Sequence, residues 1–538
     1  MEFLGGRKCL KKVQFCDGIQ MLKRIFVIFA VIYCLGKRNC SCAATSVARK
    51  NVLMIMVDDL RPAIRAAGDK NAITPNIDKL LNRSFYFKNA FAQQSLCAPS
   101  RNSILTSRRP DTLRLYDFHS YWRDVAGNFT TFPQYFRENG YFTYSIGKVF
   151  HPGESSNNTD DFPASWSLPT FHAETEEFLN SPFCVDRDTG EFTNNLLCAV
   201  DLNLVPFGTL PDMENTEKAI EMLQKSYENA SESPFFIAIG YHKPHIPFMF
   251  PLEYLRYHPE TKFTHPRDFF KPNDMPVVAW AAFNDLRKRR DVEKLNLSYP
   301  FGTFEADFAM KVRQHYYASV TYIDFLIGKL LNNVNFDDTI IVLVGDHGWS
   351  LGEHAEWAKY SNFDVALNVP LIIFDPHSSS KPRHIPEIVE LVDIFPTIVH
   401  LAGLEHLKKC KKLTKTCTQG KSLVPLMHKM IENHPLEYSA FSQYPRAGLY
   451  PSQIPNSDEP RLKNIQIMGY SIRTRQFRYT IWIPFNHETF AADWRTIIAE
   501  ELYDHSFDAE ERENIASRPE ISHIKSILFE KLHKKMKQ

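Results

Sequence analysis

The spacing of hydrophobic and polar residues predicts an α/β protein. Three short runs are apolar on both faces, as in the buried strands of a parallel sheet, and they span residues 51–57, 235–239 and 339–344. The stretch 310–331 has apolar residues at helical spacing instead, which predicts a long amphipathic helix. Strands that alternate with helices indicate a sandwich with a mostly parallel sheet and helices on its faces.

Turn and cap residues place the other elements. A Thr-Pro pair at residues 74–75 is typical of a helix start, and Asn139-Gly140 is typical of a helix end. The remaining predicted elements are helices at 75–81, 132–138, 388–401 and 521–533, a strand at 141–146, a loop at 382–386, and an antiparallel hairpin of 465–472 with 477–483. We therefore expect a large α/β domain over 49–430 and a smaller α+β unit with an antiparallel sheet over 431–538.

The first fifty residues are predicted to be a targeting segment rather than part of the fold. Two basic residues precede an uncharged run over 25–36, and the small residues Ala43 and Ala44 follow, in the order of a secretory signal. The apolar run is shorter than the ~18 residues that a membrane-spanning helix needs. We expect a leader over 1–48, cleaved after Ala43 or Ala44, and no stable membrane association afterwards. An uncleaved anchor and a start at Met21 are the open alternatives.

The overall charge excludes one class of partner. Lys and Arg total 63 against 62 acidic residues, so no global charge favours nucleic acid or a membrane surface. Any site that binds an anion must therefore be local.

Cysteine usage singles out one thiol. Five cysteines remain once the leader is removed, and short loops can close two local pairs as disulfides, Cys184 with Cys198 and Cys410 with Cys417. Cys97 has no neighbour with which to pair. An odd thiol in an exported chain indicates chemistry, although a buried free cysteine is about as common when Cys97 is judged alone.

Glycosylation sequons agree with export along the secretory route. The five candidate acceptors are Asn82, Asn128, Asn157, Asn229 and Asn296. Such triplets arise easily by chance, so we expect about half of them to carry glycans. The sequons therefore indicate only the cellular compartment of the protein.

Acidic residues follow two of the predicted strands. Asp58-Asp59 comes directly after the run 51–57, and Asp346-His347 follows the run 339–344. Either pair alone can simply cap a turn. Ligands of open α/β sheets lie at the carboxyl ends of the strands, and oxygen ligands from two strands suit a hard cation such as Ca²⁺. Because a histidine nitrogen is more typical of a transition metal, the sequence predicts a metal without fixing its identity.

Cationic residues form a second candidate set. Arg101, Lys148, His151, His242 and Lys359 each lie just after a strand-like run or in a glycine-containing loop. Judged singly, each such residue is solvated more often than catalytic. As donors that converge on a metal, they describe a site for a tetrahedral oxyanion.

The motif that begins at Cys97 resembles that of a known family. The run Cys-Ala-Pro-Ser-Arg at 97–101, followed by Thr106 and Arg108, resembles the signature of the type I sulfatases, in which the cysteine is oxidised to formylglycine after synthesis. Motifs that resemble the members of this family acting on 2-O-sulfated iduronate lie at 91–94, 109–112, 147–152, 241–245, 346–360, 442–446 and 468–474. The resemblance covers nearly the whole chain after the leader. It implies an alkaline-phosphatase-like sandwich with a large mixed sheet.

The resemblance also implies roles for individual residues. The family's Ca²⁺ shell matches Asp58, Asp59, Asp346 and His347, together with the modified Cys97. The residues that hold and activate the hydrated aldehyde match Arg101, Lys148 and His151, and those that contact the sulfate match His242 and Lys359. The two cysteine pairs fit the family's two disulfides. The implied partners are a sulfated glycosaminoglycan substrate and the formylglycine-generating enzyme, and the implied destination is the lysosome.

The implied reaction is exo-hydrolysis of the 2-O-sulfate ester of terminal L-iduronate in heparan sulfate and dermatan sulfate. An aldehyde hydrate offers one hydroxyl to attack sulfur and a second whose collapse releases sulfate, so water need not attack sulfur a second time. Ca²⁺ and the cationic side chains stabilise the charge that develops. We expect His242 to protonate the leaving sugar oxygen and His151 to take the proton when the aldehyde reforms.

One position departs from the family pattern. The family has Thr-Gly-Arg where this chain has Thr106-Ser107-Arg108. Glycine permits a tight backbone approach, and serine costs little there unless the residue needs a positive φ. The departure bears on how efficiently Cys97 is converted rather than on the site itself.

Three alternatives stay open at the level of sequence. A sulfatase of another glycosaminoglycan position would share the metal and aldehyde site and differ only in its substrate-facing loops. A phosphatase or phosphodiesterase of the same superfamily would use Ser or Thr in place of Cys97 and would carry a second metal set, which we do not find. A catalytically inactive secreted carbohydrate-binding protein is disfavoured by the intact set of metal and anion ligands.

Overall fold

The computed structural model describes residues 49–179, 181–186, 189–229, 233–264, 269–378, 382–411, 414–428 and 438–537. The predicted leader, 1–48, lies outside the described residues, and so does the expected domain boundary near residue 430. Within the described part of the chain, no helix is both long enough and apolar enough to cross a membrane.

A seven-stranded sheet forms the centre of the fold. Its strands are β1 (Asn51–Val57), β2 (Phe85–Phe91), β3 (Phe142–Gly147), β4 (Phe235–Tyr241), β5 (Thr339–Gly345), β6 (Asn368–Phe374) and β7 (Arg383–Glu390). The spatial order is β7-β2-β6-β5-β1-β4-β3, and each neighbouring pair is parallel except the two pairs that β6 makes. The predicted mixed, mostly parallel sheet is thus confirmed.

Alternate residues of the central strands belong to two separate hydrophobic cores. On β1, Leu53 and Ile55 lie in one core, whereas Val52 and Met54 lie in the other. Successive side chains of a strand point to opposite faces of the sheet, so each face has its own core. This double burial explains why the run 51–57 contains no alternating polar residues.

Helices cover both faces of the sheet. They are α1 (Pro75–Leu81), α2 (Cys97–Thr106), α3 (Pro110–Leu113), α4 (Trp122–Val125), α5 (Phe132–Glu138), α6 (Pro211–Glu228), α7 (Asn284–Arg287), α8 (Arg290–Glu293), α9 (Ala306–Leu331), α10 (Asp364–Leu367), α11 (Ile394–Leu401), α12 (Val424–Met427) and α13 (Ser522–Met536). The first core receives side chains from α6 and the long α9. The second receives side chains from α2, α5 and α11.

A second, antiparallel sheet lies in the C-terminal part of the chain. Its strands are β8 (Ala440–Arg446), β9 (Ile467–Arg473), β10 (Phe477–Asn486), β11 (Ala491–Ala492) and β12 (Ala499–Asp504). Strands β8, β9 and β10 pair in that order, and β10 also pairs with β11 and β12. Leu528 and Leu532 of α13 pack into the core of this sheet. The hairpin predicted from 465–472 and 477–483 is therefore the β9–β10 pair.

Three further pairs of short strands lie outside the two main sheets. They are Cys184–Val185 with Phe192–Thr193, Leu197–Val200 with Phe248–Pro251, and Ser350–Leu351 with Trp357–Ala358. The last pair shapes the loop that follows β5.

The stretch 382–401 differs from its prediction. A loop over 382–386 and a helix from residue 388 were expected, but β7 runs to Glu390 and α11 begins only at Ile394. β7 is an edge strand whose register shifts between Ile385 and Ile388, so Pro386 sits where a missing N–H disturbs the ladder least. Periodicity alone could not separate a short buried strand followed by a helix from one continuous helix.

Candidate active site

The two predicted acidic pairs meet at one edge of the central sheet. β1 and β5 are adjacent and parallel, with Val57 opposite Gly345, so the residues that follow them leave the sheet side by side. The backbone N–H of Asp59 donates to Asp346 Oδ1 at 3.0 Å. His347 Nε2 lies 3.3 Å from Asp59 Oδ1.

Cys97 enters this acidic group from the start of α2. Its Sγ lies 3.3 Å from Asp58 Oδ1, 3.3 Å from His347 Nε2 and 3.0 Å from Lys359 Nζ. The side chain is only 1% exposed, and its thiol is free. Burial raises the pKa of Cys97, and nearby Asp58 raises it further. Because the thiolate is the reactive form, an unmodified Cys97 is a poor nucleophile here.

The same residues form a possible metal site. Asp58, Cys97, Asp346 and His347 each place a ligand atom within 4.8 Å of the others, and all four are buried. Asp59 Oδ2 is also buried and has no hydrogen-bond partner within the described residues. Carboxylate oxygens in this number are the ligands that hard divalent cations prefer. The residues therefore fit the metal that the sequence predicted.

Three of the predicted cations converge on the acidic group. Arg101 lies one helical turn after Cys97, and its Nε and Nη2 lie 2.9 Å from Asp346 Oδ2 and 3.2 Å from Asp58 Oδ1. Lys148, which follows β3, places Nζ 2.5 Å from Asp58 Oδ2. Lys359, which follows the short strand Trp357–Ala358, places Nζ 2.9 Å from Asp59 Oδ1.

Burial and neighbouring charges separate the pKa values of the three aspartates. Burial raises the pKa of Asp58, but Lys148 and Arg101 lower it by more, so it lies well below its usual range. Burial raises the pKa of Asp59 to about 7 despite the opposing charge of Lys359. Burial and the charge of Asp58 raise the pKa of Asp346 well above its usual range. The group thus holds more carboxylate charge than its own cations stabilise, which favours a bound divalent cation.

His151 lies at the mouth of the site. It is partly exposed, and its ring packs on Phe118 with 4.5 Å between the centroids. Its Nδ1 has no hydrogen-bond partner within the described part of the chain. Burial lowers the pKa of His151 and the charge of Lys148 lowers it further, which favours the neutral ring.

The loop after β4 presents His245, rather than His242, to the acidic group. His242 Nδ1 lies 3.2 Å from Asp212 Oδ1, and its Nε2 lies 3.6 Å from Glu176 Oε1. His245 instead forms a compact ligand group with Cys97 and a carboxylate of the cluster. The motif 241–245 predicts a site role for its first histidine, His242, whereas in the structure the second, His245, lies with Cys97 and Asp59. The presence of two histidines was the only signal, because the turn geometry decides which ring points inward.

Two further acids beside Lys359 were also missed. Tyr360 Oη lies 2.5 Å from Asp285 Oδ2 and 2.9 Å from Glu459 Oε1. A phenol has one proton, so a carboxyl group supplies the proton of one of these two hydrogen bonds. Consistent with this, burial raises the pKa of Glu459 to about 7, and Asp285 adds to the rise. No sequence pattern links three residues so far apart.

The remaining predicted positions lie away from this cluster. The structure contains the disulfides Cys184–Cys198 and Cys410–Cys417. The side chains of the five sequon asparagines, Asn82, Asn128, Asn157, Asn229 and Asn296, are all exposed. Both disulfides and exposed acceptor sites agree with passage through an oxidising secretory compartment.

Comparison with known sequences matches most of the chain. The Sulfatase family model covers residues 50–404. Human iduronate 2-sulfatase is 48% identical over 517 residues, which are 89% of this chain and 92% of the human protein. A sulfatase from Formosa agariphila is 30% identical over 401 residues, which are 71% of this chain and 73% of that protein.

Solved structures share the fold. A phosphonate monoester hydrolase of Agrobacterium radiobacter superposes with a TM-score of 0.67 at 19% identity, over 91% of this chain and 96% of that chain. A protein solved in complex with its substrate D-glucosamine-2-N,6-O-disulfate superposes with a TM-score of 0.63 at 21% identity, over 91% of this chain and 98% of that chain. At these identities the likeness concerns the fold alone, and it confirms the predicted sandwich.

Proposed function

The chain belongs to the sulfatase family, and we propose that it is a sulfuric ester hydrolase that removes the 2-O-sulfate of terminal L-iduronate in heparan sulfate and dermatan sulfate. The observation that carries the proposal is the position of Cys97 at the start of α2, 3.3 Å from both Asp58 and His347. A nucleophile made from this cysteine lies inside a metal-binding group and beside two lysines. The 48% identity to human iduronate 2-sulfatase over 89% of this chain supports the substrate.

The acidic group suits one Ca²⁺ ion. Asp58, Asp59 and Asp346 would supply oxygen ligands, and His347 with the modified residue 97 would complete the shell. Bound Ca²⁺ would stabilise the negative charge of the attacking oxygen and of the sulfate group. The raised pKa values of Asp59 and Asp346 support the assignment, since a divalent cation favours their ionised forms.

The nucleophile is formylglycine derived from Cys97. Its hydrate would supply one hydroxyl to attack sulfur as the sugar oxygen leaves, and a second whose deprotonation would expel sulfate and restore the aldehyde. Arg101 and Lys148 lie next to the same carboxylate as Cys97, so they are placed to hold the hydroxyl groups of the hydrate. Lys359, 3.0 Å from Sγ of Cys97, is placed to contact the sulfate oxygens.

Two histidines at the mouth would move the protons. We assign protonation of the leaving sugar oxygen to His245 rather than to His242, because His242 is engaged by Asp212 and Glu176. Burial, Lys148 and Lys359 lower the pKa of His245, and a bound sulfate would offset the two lysines and favour the imidazolium. His151, held neutral, would accept the proton of the second hydroxyl.

The pair of acids on Tyr360 would contact the sugar. Asp285 and Glu459 are partly exposed, and Tyr360 directly follows the sulfate-binding Lys359. Carboxyl groups at this place can hydrogen bond to the hydroxyls of the sugar ring. This part of the site would distinguish the iduronate ring from other sulfated sugars.

We also assign the protein to the lysosome by way of the secretory route. The two disulfides and the exposed sequon asparagines support passage along that route. The formylglycine-generating enzyme would act on Cys97 during the passage.

Two measurements on the secreted protein test the function. Peptide mass spectrometry should find formylglycine at position 97, and an unmodified thiol throughout would contradict the enzyme assignment. The purified protein should hydrolyse a disaccharide with terminal 2-O-sulfated iduronate in preference to 6-O-sulfated glucosamine. The reverse preference would overturn the substrate and leave the sulfatase mechanism standing. The Cys97→Ala variant, which cannot form the aldehyde, is the inactive control.

A further inference from the structure

The two loops that carry the proposed proton-transfer histidines begin side by side at the edge of the central sheet. His151 lies in the loop after β3, and His245 lies in the loop after β4. These strands are parallel neighbours with Gly147 opposite Gly240, and the N–H of Lys148 donates to the carbonyl of Gly240 at 3.0 Å. Each loop then leaves the sheet, so contacts outside the sheet must set the distance between the two rings.

Alternating carboxylates and imidazoles join the two loops. This group, here called the acid–histidine bridge, consists of Asp160, His172, Glu176, His242 and Asp212. Consecutive members lie 2.6, 2.9, 3.6 and 3.2 Å apart, each distance joining a ring nitrogen to a carboxylate oxygen. The 3.6 Å step between Glu176 and His242 is within the range of an ion pair but too long for a hydrogen bond.

One end of the acid–histidine bridge reaches the loop of His151. Ser156 Oγ lies 2.8 Å from the carbonyl O of His151 and 3.1 Å from Asp160 Oδ1, so its hydroxyl group lies between the two acceptors. The backbone of Asp160 is held as well, because the indole N–H of Trp166 donates to its carbonyl at 2.7 Å. The position of Asp160 is therefore linked to that of the His151 backbone.

The other end holds the loop of His245. Asp212, in the first turn of α6, accepts from the backbone N–H groups of His242 at 2.8 Å and Lys243 at 2.9 Å. Lys243 Nζ in turn donates to the carbonyls of His245 and Pro247 at 2.5 and 2.7 Å. The carboxylate of Asp212 thus holds the turn that points His245 into the active site.

His172 supplies a positive charge near the middle of the acid–histidine bridge. Its Nε2 faces Asp160 and its Nδ1 faces Glu176. A neutral imidazole has only one N–H, so both hydrogen bonds form only when the ring is an imidazolium ion. In agreement, burial lowers the pKa of His172, but the hydrogen bonds to Asp160 and Glu176 raise it by more, to about 10. The charged ring therefore binds two carboxylates from different segments of the chain.

The acid–histidine bridge differs from an ordinary surface ion pair. Exposed pairs contribute little because water and salt screen them. The side chain of His172 is 32% exposed, but Asp160 and Asp212 are each only 2% exposed. Both ends of the bridge also act on the backbone of a loop that carries a proposed proton-transfer histidine.

We propose that His172 is a positioning residue, which sets the distance between the proton acceptor His151 and the proton donor His245 through the acid–histidine bridge. The inference rests on the proposed function. Proton transfer requires a ring nitrogen within hydrogen-bond reach of the reacting oxygen, so a small displacement of either ring lowers kcat. The groups that bind the sulfate lie on other segments, so substrate binding should change little.

Steady-state kinetics of His172→Gln on a 2-O-sulfated disaccharide test the proposal. Glutamine cannot carry the positive charge that holds both acids. We expect kcat to fall about fivefold while KM stays within about twofold of the wild type. The matched control is His400→Gln, which replaces another partly exposed histidine, 3.0 Å from Ser422 Oγ, and should leave kcat unchanged. Thermal melts of each variant show that it is folded.

A double variant separates positioning from a general loss of structure. If His172 and Asp212 act through the same bridge, His172→Gln should cost little further kcat once Asp212→Asn is present. Losses that multiply would overturn the proposal. Unchanged kcat in His172→Gln, an equal loss in the control, or a rise in KM in place of the fall in kcat would overturn it as well.

The protonation state of His172 gives a readout that does not depend on activity. In full-length protein labelled with ¹⁵N-histidine, the NMR signal that is lost in His172→Gln should be that of an imidazolium ion at pH 7.5, where a histidine with the usual pKa of ~6.5 is mostly neutral. A neutral ring would overturn the proposal. If the ring is charged but the wild type hydrolyses no sulfated disaccharide, the acid–histidine bridge stands and the proposed function fails.

Discussion

Two groups of charged side chains in this protein have similar composition and opposite charge balance. The first group, called the catalytic cluster after its proposed role, consists of Asp58, Asp59, Cys97, Asp346 and His347. The arginine network consists of Asp364, Glu511, His505, Arg473 and Arg478. In each, carboxylates and a histidine place ligand atoms within 4.8 Å of one another. By composition alone, both are candidate metal sites.

Their charge balance separates them. In the arginine network, Arg478 donates to both Asp364 and Glu511, and Arg473 lies 2.9 Å from Asp364. Burial raises the pKa of each acid, but Arg473 and Arg478 lower that of Asp364 by more, and Arg478 and the hydrogen bond from His505 lower that of Glu511 by more. In the catalytic cluster the pKa values of Asp59 and Asp346 are raised instead. Fixed guanidinium ions neutralise the carboxylates of the arginine network, whereas an excess of carboxylate charge favours the binding of a cation.

Replacing one acid in each group tests this contrast most directly. Asp346→Asn should lower kcat/KM at least about hundredfold and should abolish the rise in Tm that Ca²⁺ gives, because an oxygen ligand is lost. Differential scanning fluorimetry with and without Ca²⁺ measures the second effect. The matched change Glu511→Gln should leave the Ca²⁺ response intact, and loss of that response would contradict the distinction between the two groups.

Substitutions of the two candidate histidines test which of them belongs to the catalytic cluster. His245→Gln should lower kcat about hundredfold or more, as expected for loss of a proton donor. His242→Gln should lower kcat less than about tenfold, because its ring contacts Asp212 and Glu176 and acts only through the loop. Steady-state kinetics on a sulfated disaccharide measure both effects. If the larger loss fell on His242, the inward position of His245 would not be the productive one.

Breaking the arginine network should affect stability instead of chemistry. Arg478→Gln leaves the buried Glu511 without its guanidinium partner and Asp364 with Arg473 alone, which should cost ~3 kcal/mol in the free energy of unfolding. Urea denaturation measures the loss, and activity per folded molecule should be retained. The exposed neighbour Arg475, changed to Gln, is the control and should have little effect.

Glu356, a buried acid outside both groups, extends the comparison to the pH dependence of stability. Burial raises the pKa of Glu356 from 4.5 to about 8, despite the N–H of Ala281 and the charge of Arg446, and its Oε2 has no hydrogen-bond partner within the described residues. The folded state therefore holds a proton that the unfolded state releases, and stability falls as pH rises from 4.5 to 8.

Replacing Glu356 should remove this dependence. Relative to the wild type, Glu356→Gln should gain ~2 kcal/mol or more of stability on going from pH 5 to pH 8. The difference between the two proteins is the measured quantity, since buried neutral histidines such as His258 give the opposite dependence, through loss of stability below pH ~6.5. Thermal melts across this range provide the data. A parallel response of the two proteins would show that Glu356 is ionised in the fold.

The smallest effect is expected at the far end of α2. Ser107 has φ 51° and ψ 41°, so this position does require the left-handed conformation that glycine tolerates best. The serine hydroxyl donates to the carbonyl of Val392 at 2.6 Å and accepts from the N–H of Gly420 at 3.2 Å. Ser107→Gly relieves the strain and loses both bonds, so the net change in stability should stay within ~1 kcal/mol. Ser107→Ala keeps the strain and loses the bonds, and should destabilise by ~2 kcal/mol in the same denaturation assay.

The sequence was sufficient where a local pattern determines the structure. The run 51–57 coincides with β1, and the acids after β1 and β5 meet because those strands are parallel neighbours. The sequence was insufficient where tertiary contacts determine the structure. The edge-strand position of β7, the inward ring of His245 and the pairing of Asp285 with Glu459 all depend on turns or on residues far apart in the chain. The assembly of the acid–histidine bridge belongs to the same class.

The burial of Cys97 also sets a time limit on its modification. In the folded protein Lys359 and His347 contact the thiol. His347 lies 250 positions after Cys97 in the chain. At a synthesis rate of ~5 to 20 residues per second, those positions emerge roughly 10 to 50 s after Cys97. An enzyme that oxidises this cysteine must therefore bind the segment as an extended peptide during that interval, or hold the chain open beyond it. Folding and modification are thus in kinetic competition for the same twelve residues, 97–108.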